Sequence, residues 1–166
     1  YFSDLGINAI ELMPINQFEG SYSWGYNPSF AMAPESTYGT PNEFKNFIDI
    51  AHQNGIAIIL DVVFNHLCGS SPLFQLYQPL DNYEWQDHDF DSCPYFGNEE
   101  SLWGYKIEHW HELNGREYRG WKYVEDAILY WVDEYHIDGY RFDYVDGIGW
   151  DGDFNGASYY ANVLDN

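Results

Sequence analysis

The sequence predicts an α/β fold and, within that class, part of a (β/α)₈ TIM barrel. Three observations carry this expectation. Strand-like and helix-like segments alternate along the chain, which calls for a parallel sheet with helical crossovers. One strand, "IAIILDVVF" (56–64), is almost wholly apolar and rich in Ile and Val, as a parallel strand covered on both faces must be. The polar and aromatic long segments (15–39, 65–120 and 144–166) all follow strands, whereas the helix-to-strand joins at Gly55 and His136 are short. A barrel gathers its working loops after its strands. A doubly wound sheet would carry a Gly-rich phosphate loop there, and no G-x-G-x-x-G or Walker pattern occurs. Three strands are present, so the expected barrel is incomplete.

The elements follow in order. Residues 1–5 read as the last turn of a helix that Gly6 stops. "INAIEL" (7–12) reads as a strand ended by Met13 and Pro14. Residues 15–39, rich in Gly, Ser, Asn and Pro, read as one long loop. A helix then begins with Thr40 as N-cap, Pro41 at the first helical position and Glu43 closing a capping box. Phe44, Phe47, Ile48 and Ala51 form its apolar face, and Gly55 ends it. Residues 65–120 show no clear periodicity, and a stretch that long points to a small inserted subdomain. A second amphipathic helix is expected over about 121–135, burying Trp121, Val124, Ile128, Trp131, Val132 and Tyr135. A strand over 137–143 follows, then a Gly- and Asp-rich loop with a further helix expected from Ser158.

Composition narrows the partners. With 27 acidic residues against 6 Lys plus Arg, the net charge is −21, which repels nucleic acid and anionic membranes and suits a neutral or cationic ligand. No apolar run approaches the ~18 residues of a membrane span. Aromatics reach 20% of the residues; such rings fill cores and also stack on sugar faces. Cys68 and Cys93 are the only cysteines, open to a disulfide or to two free thiols. The chain begins at Tyr1 in what reads as a helix end, so a piece of a longer protein is expected. A missing signal segment therefore says nothing about compartment.

Three stretches could carry chemistry. In "GYRFD" (139–143), side chains alternate, so Arg141 and Asp143 share a face while Tyr140 and Phe142 point the other way. A guanidinium fixed beside a carboxylate favours its ionised form. An ionised aspartate at a strand's C-terminal end can act as a nucleophile, and the pair can equally be a structural ion pair. In "DVVFNH" (61–66), an apolar strand runs from Asp61 into Asn65 and His66. Asn65 offers an amide oxygen to a hard metal ion or to a loop, and His66 can donate to a substrate hydroxyl or serve the fold. In "SWGYNP" (23–28), Trp24 and Tyr26 could form a stacking wall or a rigid buried loop. Other motifs weigh less. "DGDFNG" (151–156) matches half a calcium loop but has Asn162 at the twelfth position. "DHDFDS" (87–92) lacks the sixth-position Gly. "EHWHE" (108–112) has two histidines but no third zinc ligand in view.

Taken together, "LGINAIELMPI", "SWGYNP", "DVVFNH" and "GYRFD" resemble the α-amylase superfamily, glycoside hydrolase family 13. The resemblance covers essentially the whole chain. It implies strands two to four of that family's barrel, with residues 67–120 as the small B domain inserted after strand three. It implies Asp143 as catalytic nucleophile and Arg141 as its charge partner. His66 and Tyr26 would hold the sugar at the cleavage point. Asp61 would be structural or substrate-orienting, and Asn65 a Ca²⁺ ligand in members that bind the ion; no cofactor is otherwise required. The implied reaction is retaining hydrolysis of α-glucosidic bonds in starch- or glycogen-like α-glucans. The alternatives are a branching enzyme or other transglycosylase, and a non-catalytic glucan-binding relative. "WGYNP" with "DVVFNH" favours hydrolysis over transfer. The family's acid/base Glu, on strand five, and a third carboxylate after strand seven lie outside these 166 residues, so the segment alone is expected to be inactive. "YVDGI" stands where many α-amylases carry a Lys-His pair, which departs from the usual calcium site. Acidity and scarce lysine favour an extracellular or periplasmic enzyme over a cytoplasmic one.

Overall fold

The computed structural model describes residues 1–77, 94–101, 103–109, 112–113, 117–145 and 148. The motifs at 87–92 and 151–156, Cys93, His111 and the tail beyond 148 lie outside them. Its centre is a three-stranded parallel sheet of β1 (Ala9–Leu12), β4 (Ala57–Val63) and β10 (Gly139–Asp143), in the order β1-β4-β10. Register runs Leu12 to Leu60 on one side and Arg141 to Asp61 on the other. The apolar run 56–64 is thus the middle strand. Ile58, Leu60 and Val62 on one face are fully buried, and Asp61 and Val63 on the other are nearly so.

The segment 15–39 is not a simple loop. It holds an antiparallel pair, β2 (Asn16–Phe18) and β3 (Pro28–Pro34). Prolines at both ends of β3 and irregular register hide the strand signal. Glu35 follows, buried and without a cation beside it among the described residues; its carboxylate accepts from Gln17 Nε2 at 2.7 Å, Thr37 N at 2.9 Å and Phe18 N at 3.2 Å. These donors satisfy the buried carboxylate and pin the pair to the start of the next element.

Helix α1 (Pro41–Gln53) starts as its sequence demands. Thr40 and Glu43 exchange both bonds of the capping box, with Thr40 N donating to Glu43 at 2.7 Å and Glu43 N to Thr40 at 3.2 Å. Ile48 and Ala51 are buried, whereas Phe47 is a correction: it stays exposed at the helix edge and stacks on Phe44. Residues 1–5 form a turn rather than a helix end, although Leu5 N still donates to Tyr1 O.

Helix α3 (Arg119–Tyr135) begins two residues before the expected Trp121. Its buried positions are Gly120, Val124, Ala127, Trp131 and Tyr135, a helical stripe. Val132, expected inside, is exposed; the stripe turns on Ala127 because Trp131 takes the centre of the interface. The Trp131 indole donates to Ala31 O at 2.8 Å, lies edge-on to Phe44 and packs against Tyr135. Part of the aromatic excess is therefore core.

Between β4 and α3 the described residues include β5 (His66–Leu67), α2 (Pro72–Tyr77), β6 (Phe96–Ser101), β7 (Gly104–Ile107), β8 (Glu112–Leu113) and β9 (Glu117–Tyr118). Strands β5, β7 and β6 pair antiparallel in that order. Leu67, Phe74, Phe96 and Ile107 form a second apolar cluster beneath them, with Tyr105 stacked on Phe74. The segment without periodicity thus contains a small sheet with its own core. Cys68, at its start, is a buried free thiol. Among the described residues no helix is long and apolar enough to cross a membrane.

His109 joins this insertion to the central sheet. It is buried and its Nε2 donates to Phe64 O at 3.0 Å. Burial pushes its pKa down to about 4 from the ordinary 6.5. Between those values the unfolded chain binds a proton that the folded chain refuses, so stability is full above about pH 6.5 and falls as pH drops towards 4. The full effect is about 3 kcal/mol. Urea midpoints compared at pH 7 and pH 4.5 should therefore converge in His109→Gln more than in the parent. An unchanged pH dependence would show that His109 charges freely in place.

Candidate active site

The site lies where β4 and β10 end. Adjacent parallel strands put Arg141 directly beside Asp61, and strand alternation puts Asp143 on the same face as Arg141. The guanidinium Nη1 donates to Asp61 Oδ1 at 2.9 Å and Oδ2 at 3.0 Å, and also to Asp143 Oδ1. One cation therefore joins two carboxylates. Asp61 and, next, Asp143 push the Arg141 pKa upward, so the guanidinium keeps its charge at any working pH.

The two acids differ in surroundings. Asp61 is buried and also accepts from Tyr26 Oη at 2.7 Å. That bond is the main reason the Tyr26 phenol is pushed up to about 12 and stays protonated. Asp143 is one-third exposed and borders an open cleft of about 260 Å³. Asp61 is thus held between Arg141 and Tyr26, while Asp143 faces the cleft.

His66 lines the same cleft. Its Nε2 donates to Tyr26 O at 3.0 Å, and its Nδ1 lies 3.0 Å from Asn65 Oδ1. Burial lowers its pKa from the ordinary value, against the Tyr26 carbonyl and the Asp143 charge, which raise it. A sugar hydroxyl reaching Nε2 would compete with the Tyr26 carbonyl. Tyr26 is positioned by its neighbour Gly25, whose φ of +92° suits glycine and whose α-carbon packs against Pro14; a β-carbon there would sit 2.3 Å from the Pro14 oxygen.

The structure brings Tyr26, Asp61, His66, Arg141 and Asp143 together as the sequence suggested. Trp24 does not join them. Its side chain is 71% exposed and is not part of the cleft wall, so the paired wall of Trp24 and Tyr26 is not formed there. Two aromatics that the sequence did not single out take part instead. Trp103, in the turn between β6 and β7, and Tyr144, the residue after Asp143, both line the cleft. Tyr144 is the first residue past the expected strand 137–143, and Trp103 lay in the segment without periodicity.

Asn65 is buried in the same wall with its amide oxygen turned to His66. Among the described residues no group of three or more His, Cys, Asp or Glu side chains is placed to hold a metal. His109 of the "EHWHE" stretch is turned inward to Phe64 O rather than towards a metal.

Parallel strands joined by helices, with a guanidinium-bound carboxylate at the mouth of a cleft beyond the strand ends, define an α/β domain of the barrel type with its site on the C-terminal face. The model described as alpha amylase, catalytic domain, matches residues 1–161, and the chain belongs to the α-amylase family. It is 35% identical over 149 residues to the malto-oligosyltrehalose trehalohydrolase of Saccharolobus solfataricus, covering 89% of this chain and 23% of that protein. It is 33% identical over 153 residues to the 1,4-alpha-glucan branching enzyme of Halothermothrix orenii, covering 89% and 21%. The crystal structure of pullulanase type I from Bacillus subtilis, complexed with maltose, superposes with a TM-score of 0.65 at 27% identity, covering 98% of this chain and 24% of that one. The chain thus spans about a quarter of the length of these relatives.

Proposed function

We propose that this chain supplies the nucleophile side of a retaining α-glucan hydrolase, built on strands two to four of a (β/α)₈ barrel with 67–120 as the domain inserted after strand three. One observation carries the reading: Asp143 meets an open cleft while Arg141, itself anchored by buried Asp61, holds one of its oxygens. A carboxylate with a fixed orientation is what attack on an anomeric carbon needs. Asp143 forms a bond to that carbon as the glycosidic bond breaks; a carboxylic acid protonates the departing oxygen. Water then attacks the glycosyl ester with that group acting as base, and configuration is retained. Asp61 is not the acid, because its oxygens are taken by Arg141 and Tyr26. The proton donor is a glutamic acid outside the described residues, roughly 5–5.5 Å from Asp143. His66 and Tyr26 hold the sugar, and the reaction uses no cofactor.

Transfer to a glucan acceptor instead of water is the second reading. It is favoured by the near-equal identity to a trehalohydrolase and to a branching enzyme. Both readings share the covalent intermediate. An activated fluoroglucoside incubated with the full-length protein should label Asp143, as read by peptide mass spectrometry. Label on another carboxylate would remove Asp143 from its role.

A further inference from the structure

We propose that Trp103 is the platform on which a second glucose ring of a bound α-glucan stacks, next to the ring seated at Asp143. The inference rests on the α-glucan reading above and adds a residue and a subsite to it. The cleft at Asp143 measures about 260 Å³. Pockets for drug-sized ligands span about 300–1,000 Å³, so this one has room for about one pyranose ring. A polymer seated there must continue over the rim, and two exposed aromatics stand at that rim. Trp103 is 56% exposed and Tyr144 is 52% exposed.

Their placement is built rather than incidental. The Trp103 ring lies 6.3 Å from that of His66 at 36°, and 5.9 Å from that of Tyr144 at 70°, an edge contact. The platform therefore bridges the insertion and the end of β10. Gly104 holds the turn down: a β-carbon there would sit 2.4 Å from Leu67 O and 3.1 Å from the His66 ring. Only glycine lets the β6–β7 turn lie this close to His66. Tyr144 has φ of +48°, a conformation few non-glycine residues adopt. Backbone strain of that kind gathers at functional sites. The flat face of an indole suits the apolar face of a pyranose.

The test uses W103A and W103F in the full-length protein, with maltohexaose and α-glucosyl fluoride, which has one ring only. The ratio of kcat/KM for maltohexaose over glucosyl fluoride should fall about tenfold in W103A and stay within about threefold of the parent in W103F. The loss should sit in KM rather than kcat. A ratio unchanged in W103A would overturn the platform while leaving the hydrolase reading intact. Should the parent cleave neither substrate, that reading fails and calorimetry decides the inference. A maltohexaose Kd weakened about tenfold in W103A supports the platform. An equal Kd, or no binding by the parent, overturns it.

Discussion

Asp143→Asn in the full-length protein should abolish hydrolysis of α-glucans while leaving the fold unchanged. The amide keeps the size of the carboxylate, and its oxygen can still accept from Arg141, so the strand end loses no packing. It cannot form a glycosyl ester, which removes the covalent step rather than weakening it. The expected fall in kcat is on the order of 10⁴-fold or more, as for loss of other covalent nucleophiles. Asp143→Glu is the companion variant. It keeps the charge but displaces the carboxylate by one methylene, and a misplacement of about 1 Å costs about 10²-fold. Reducing-sugar release and thermal midpoints measure both variants. Turnover of Asp143→Asn within tenfold of the parent, at equal stability, would defeat the assignment.

Arg141→Leu should lose both activity and stability, for separable reasons. Activity falls because Asp143 is no longer held in one orientation; a loss of about 10²–10³-fold is in the range of removed electrostatic groups. Stability falls because Asp61 is buried and, among the described residues, is left with Tyr26 as its side-chain partner. Breaking one side of a buried pair leaves an uncompensated charge, whereas replacing both sides by apolar groups is often neutral. Arg141 is itself 44% exposed, so solvent screens part of the effect. The double variant Arg141→Leu/Asp61→Leu should therefore recover much of the thermal midpoint lost by Arg141→Leu, with activity still absent. A double variant no more stable than the single one would mean that the Asp61 charge is not the cause.

Much of the scaffold was legible because its signals are local. The capping box of Thr40 and Glu43 is a contact between neighbours, and the apolar run of β4 reports burial by composition alone. The shared face of Arg141 and Asp143 follows from the alternation of a strand, whatever surrounds it. The β2–β3 pair was not legible, since its strands are short, shifted in register and bounded by proline. The buried faces of the helices were read nearly right. Phe47 and Val132 failed because helical spacing gives a stripe but not its edges, which depend on what packs opposite.

By itself the sequence determined the alternating elements, the central strand and the arginine–aspartate pair at a strand end, because each is set within a few residues along the chain. Only the tertiary structure decided which acid is committed and which faces the cleft. It bound Arg141 to Asp61, 80 residues away, and it put Trp103 rather than Trp24 at the rim. Such choices rest on how two distant elements pack, and periodicity within either one carries no record of the other.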